Sequence, residues 1–144
     1  MAFDPVADYP LGTRRPDLVR TPSGLALDEL TLDALRAGRV QSADLRATAD
    51  TLRRQGEVAR AAGRVELATN LYRAAELTGL PDEVILDIYT ALRPHRSTAA
   101  ELEAWAVRLE RDFDAPETAS FVREAACVYA TRKLLSRDER AETI

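Results

Sequence analysis

A chain of 144 residues with 46% apolar and 31% charged residues has the composition of a folded globular domain and is too apolar for a disordered one. At this length one core can bury roughly two-thirds of the surface that the unfolded chain exposes. A net charge of −4, with 20 basic against 24 acidic residues, gives no overall attraction to nucleic acid. No run approaches a membrane span, and a single cysteine with a single histidine supports neither a disulfide nor an ordinary zinc site. The N-terminal run lacks both a basic segment and an apolar segment, so a cytoplasmic protein is expected.

Residues 1–30 differ from the rest. Pro5, Pro10, Pro16 and Pro22 interrupt helices and Gly12 and Gly24 supply turns, so an extended N-terminal arm is expected, lying on its own or a partner's surface. Tyr9, Leu11, Leu18 and Val19 are spaced along it. From Thr31 the punctuation becomes helical: Thr31 caps a short turn that Gly38 stops, another piece starts at Ser42, and Thr48 caps a helix that Gly63 ends. The next helix gathers Val65, Ala68, Leu71, Tyr72 and Ala75 on one side and ends at Gly79. Two helices joined through one glycine predict an αα-hairpin, with Arg53, Arg54, Arg60, Arg64 and Arg73 as a solvated face.

Pro81, Asp82 and Glu83 open a helix whose apolar residues Val84, Ile85, Ile88, Tyr89 and Leu92 occupy a broad side, which predicts a central position. It stops near Arg93, because Pro94 has no N–H and disfavours helical geometry in the residue before it. Thr98 and Glu101 have capping-box spacing, and Leu102, Trp105, Ala106, Leu109 and Phe113 follow as a stripe. Pro116 starts a last helix with Phe121, Val122, Ala125, Val128 and Tyr129 on one face. Second apolar lines, Cys127 with Ala130 and Leu134, and Leu67 with Ala74, imply either a more layered bundle or cover by another chain. The reading is all-α: a compact multi-helix domain of αα-hairpins over 31–135, preceded by the 1–30 arm and followed by a polar tail over 136–144.

No phosphate loop, nucleophile elbow, metal motif or cysteine pair is present. Asp112 and Asp114 are paired carboxylates without an apolar setting that would raise a pKa. His95, between Arg93 and Arg96 in "LDIYTALRPHRSTAAEL", belongs to a residue type that often carries protons, yet no orienting partner is visible. Arg93 and Arg96 could bind a carboxylate, including one from another chain. No catalytic, cofactor-binding or metal residue is assigned, and the residues alone leave a partner-binding helical module, a stand-alone adaptor for an acidic partner, or an enzyme acting by itself.

The runs "YPLG", "RPDLVRTPSGLALDELTLDALRAGRV", "ADLRATADTLRRQGEVARAAGR", "LATNLYRAAELTGLPDEVILDIYTALRPHRST" and "TASFVREAACVYATRKL", in this order and spacing, resemble the small subunit of diol and glycerol dehydratases. The likeness covers residues 9 to 135, and its most specific parts are 73–77, 81–83 and 89–98. It implies a hydro-lyase of large, medium and small subunits, a dimer of such heterotrimers, in which adenosylcobalamin and a metal ion are held by the other subunits. The implied reaction is radical dehydration of 1,2-propanediol or glycerol to the aldehyde, with no catalytic residue on this chain. Tyr9, Leu11, Arg93 and Arg96 become candidate interface residues. The resemblance admits enclosure in a bacterial microcompartment, for which the arm shows no helical targeting pattern. Where the family has Tyr or Phe in "ALRPxRS" this chain has His95, which disfavours a proton-transfer role, and Gly56 stands where the family has Ala.

Overall fold

The computed structural model describes residues 2–136; the tail expected over 136–144 lies, apart from Ser136, outside the described residues. Among these residues the fold is all-helical, as the sequence predicts, with a lone antiparallel bridge between Arg20 and Ala26. The helices are α1 (Leu11–Arg14), α2 (Leu32–Arg36), α3 (Ala49–Ala61), α4 (Val65–Leu77), α5 (Asp82–Ala91), α6 (Ala99–Phe113) and α7 (Pro116–Arg132). Contacts divide the chain after Thr78 into two compact units.

In the first unit α3 and α4 form the expected hairpin. Thr48 caps α3 by accepting from the Thr51 N–H. The left-handed Gly63 (φ 75°) lets its own N–H reach the Arg60 carbonyl and the Arg64 N–H reach the Ala59 carbonyl, closing α3 before α4 begins. Buried Ala59, Ala68 and Ala75 line the hairpin, and Gly56 faces the ring of Tyr72. Thr31 caps α2 through the Ala34 N–H. Within the arm, α1 and two short turns, Pro16–Leu18 and Leu27–Glu29, interrupt the extended chain.

In the second unit α6 packs on α7. Leu102, Ala106 and Leu109 of α6 meet no solvent, nor do Ala115, Ala119 and Val122 at the start of α7, and each large aliphatic side chain so buried contributes roughly 1.5–3 kcal/mol. The α6 stripe agrees with the periodicity, whereas the α7 face is rotated from it: Thr118 and Ala119 are inside, while Phe121 and Val128 are 36% and 44% exposed. Small side chains permit close approach of two helices, and that outweighs the transfer energy of one larger residue. The expected central position of α5 is also corrected. It buries Val84 and Ile88 but leaves Leu86 and Tyr89 68% and 57% exposed.

Candidate functional site

The arm is fastened to the α3–α4 hairpin. Arg54 does not point to solvent as the sequence suggests; its guanidinium donates to the Leu18 carbonyl at 3.0 Å. Arg15 grips both Asp8 (3.0 Å) and Asp17 (3.0 and 2.9 Å), and its hydrogen bonds to Asp17 hold that carboxyl below the ordinary range. Leu11 is buried and Tyr9 is exposed. Between arm and hairpin runs a groove of ≈ 830 Å³ whose walls include Val6, Tyr9, Leu11, Val58, Leu67 and Leu71, with Arg64 as its one charged lining residue. The second apolar line of α4, through Leu67, thus faces this groove.

A polar knot secures the same unit. The Ser23 hydroxyl donates to Asp44 at 2.5 Å, the Gln41 N–H donates to the other carboxylate oxygen at 2.9 Å, and the Leu25 N–H donates to Thr21 Oγ1 at 3.0 Å. Thr21 and Asp44 are buried. The Ser23 bond, then the Gln41 bond, hold the Asp44 carboxyl below its ordinary value, so the group is an anionic acceptor and a fold contact.

In the second unit "ALRPHRST" is a joint. Helix α5 ends at Ala91, Ser97 Oγ donates to the Ala91 carbonyl at 2.9 Å, and the Tyr129 hydroxyl donates to the Leu92 carbonyl at 2.5 Å. His95 lies in the left-handed region (φ 61°) with its N–H donating to the Leu134 carbonyl at 2.6 Å, and the Ser136 N–H donates to the Ser97 carbonyl at 2.9 Å. The backbone of His95 thus has a defined partner while its side chain is exposed. Thr98 and Glu101 form the predicted capping box, with bonds of 2.8 and 3.2 Å.

Tyr9 and Leu11 therefore lie in the first unit and Arg93 and Arg96 in the second. Arg93 and Arg96 are exposed and make no ion pair among the described residues. Asp112, weighed above as half of a carboxylate pair, is bound by Arg111 at 2.7 Å, and that bond lowers its pKa. Its neighbour Asp114 closes α6 in the left-handed conformation. Neither geometry suits a shared proton. Among the described residues no three His, Cys, Asp or Glu side chains gather as a metal set, and no helix is long and apolar enough to cross a membrane. Sequence reasoning missed Arg54, whose tie to Leu18 spans distant positions and leaves no local pattern.

Comparison with known proteins adds the family. Residues 5–136 match the family model described as Dehydratase small subunit. The chain is 49% identical over 134 residues to a propanediol dehydratase small subunit of Citrobacter freundii, an alignment covering 93% of this chain and 78% of the relative. It is 48% identical, over the same shares, to a propanediol dehydratase small subunit of Salmonella typhimurium strain LT2. These matches run through both structural units and include the arm, the hairpin and the α5–α6 joint, so the chain belongs to the dehydratase small subunit family.

Proposed function

We propose that this chain is the non-catalytic small subunit of a propanediol dehydratase, supporting adenosylcobalamin-dependent dehydration of 1,2-propanediol or glycerol to the aldehyde. The observation that carries this reading is the 49% identity to a propanediol dehydratase small subunit across 93% of the chain. Two features of the chain agree with a cofactor held by other subunits. Its one histidine stands on an exposed turn and Cys127 is exposed on α7, and neither lines the groove of the first unit. In this reading adenosylcobalamin, which supplies radical chemistry when bound, is held by large and medium subunits, and this chain contributes docking surface.

Tyr9 and Leu11 on the arm, and Arg93 and Arg96 at the α5–α6 joint, are the proposed contacts to those subunits, in a dimer of heterotrimers within the cytoplasm. Leu11 acts by holding the arm in place, and the exposed ring of Tyr9 supplies apolar area with a polar tip. The stand-alone adaptor has less support, because most of the hairpin arginines are already engaged. Of the hairpin arginines, Arg53 pairs with Asp50, Arg54 bonds Leu18, Arg60 lies 5.2 Å over the Tyr72 ring and Arg73 bonds Asn70, which leaves Arg64, at the groove wall, without an ion pair among the described residues.

Co-expression with large and medium subunits tests the proposal. A stoichiometric complex is expected, with lower recovery and turnover when this chain is omitted. A complex of full size and activity without it would overturn the reading.

A further inference from the structure

The joint described above brings two basic segments together. The Tyr129–Leu92, His95–Leu134 and Ser136–Ser97 hydrogen bonds join the 92–97 turn to the end of α7 at three levels. The turn that carries Arg93 and Arg96 is thereby held against the segment in which Arg132 and Lys133 close α7. All four side chains are exposed and none has an ion pair or hydrogen bond with a carboxylate among the described residues. Glu101, the carboxylate nearest in sequence to the turn, is engaged in the cap with Thr98.

Other arginines meet acids, as Arg123 meets Glu103 and Glu110, Arg15 meets Asp8 and Asp17, and Arg108 and Arg111 meet Asp112. Exposed Arg14, Arg39, Arg46 and Arg64 share the lack of an ion pair among the described residues, and what sets Arg93, Arg96, Arg132 and Lys133 apart is that their segments meet at one joint. Like charges held on a backbone-tied platform repel one another, and an anionic surface brought against them relieves that repulsion. Guanidinium groups suit carboxylates in particular, through paired N–H donors in a planar fork.

We propose that Arg93, Arg96, Arg132 and Lys133 form one cationic docking platform that receives an acidic segment of a partner subunit. The inference rests on the reading of this chain as a dehydratase subunit and names what one of its contact surfaces recognises. Its partner is a protein segment bearing several carboxylates, and its contribution is to steer and orient assembly.

The test uses the full chain, its fold checked by circular dichroism, and a preparation of large and medium subunits whose affinity for it is measured at low and high sodium chloride. The variant carries Arg93→Gln, Arg96→Gln, Arg132→Gln and Lys133→Gln, neutral changes that retain side-chain length. A control carries Arg36→Gln and Arg39→Gln, exposed positions of the first unit. For the wild type, affinity is expected to fall about tenfold or more between about 0.05 M and 0.5 M salt. The platform variant is expected to bind about tenfold more weakly at low salt and to lose most of the salt dependence, with the control unchanged. A folded platform variant that binds as the wild type does overturns the inference and leaves the subunit reading intact. No association of the wild type at either salt overturns the subunit reading itself, and the inference with it. A variant that loses retention on heparin yet assembles normally also overturns it, assigning the platform to a free polyanion.

Discussion

A methyl group at position 56 would stand 2.5 Å from Tyr72 Cε1 and 2.8 Å from Cδ1, closer than non-bonded carbons approach. Glycine in a helix costs about 1 kcal/mol relative to alanine, whereas overpacking costs about 1–3 kcal/mol. The ring of Tyr72, over which Arg60 lies at 5.2 Å, would have to shift to admit the methyl. Gly56→Ala is therefore expected to lower stability by about 1 kcal/mol net in urea titration, and Gly56→Ala with Tyr72→Leu to recover part of it; a higher midpoint for the single variant would refute the packing account. His95 presents the opposite case, a side chain in solvent on a constrained backbone. At φ 61° a β-branched residue is the worst occupant, so His95→Val is expected to cost about 1–2 kcal/mol, while His95→Gly costs nothing measurable. Within an assembled complex His95→Phe should leave turnover unchanged, and loss of turnover would return the imidazole to consideration as a proton carrier.

The elements are held at their ends by local chemistry and to one another by distant contacts. Thr98→Ala removes the hydroxyl that accepts from the Glu101 N–H but leaves the residue-98 N–H that donates to the Glu101 carboxylate, and should destabilise by about 1 kcal/mol, whereas Thr98→Ser should be nearly silent in thermal melts. Arg123 bonds Glu103 and Glu110 across α6 and α7, but these groups are part-exposed and surface ion pairs contribute about 0–1 kcal/mol. The aliphatic contacts of Leu102, Leu109 and Val122 thus dominate that helix pair. The Asp44 knot ties the Thr21–Leu25 turn to the Ser42–Leu45 turn, and its pH dependence has a definite sign. Because the folded carboxyl lies below its unfolded value of about 3.9, its contribution is complete above that value and is lost as the pH falls through the lower folded one. The stability gap between wild type and Asp44→Asn should be constant near neutrality and shrink as the pH falls below about 4. A gap independent of pH would refute the ionised-acceptor role.

At the scale of the whole molecule, apolar side chains stay open in both units: Val6, Leu32 and Leu45 in the first, Leu86, Tyr89 and Val128 in the second. Single exposed residues of this kind are common, but their number on a 15.9 kDa chain matches a subunit better than a free-standing monomer. The isolated chain is expected to enhance the fluorescence of an apolar dye, and large and medium subunits to suppress that signal on mixing. An isolated chain that leaves the dye dark would count against the proposed assembly.

The amino-acid sequence by itself determined the helical class, the hairpin and most helix ends. Caps at Thr31, Thr48 and Thr98, the proline at Pro116 and the left-handed Gly63 all act within a few residues of themselves, so their meaning is local. The family was equally legible, in motifs from "YPLG" to "ALRPHRST". Only the tertiary structure decided which face α7 buries, why position 56 is glycine, that Arg54 holds the arm through Leu18, and that the 92–97 turn is bonded to the end of α7. Each of these depends on an approach between residues far apart in the chain. Helical periodicity states which side chains share a side; it does not state which side a neighbouring helix comes to cover.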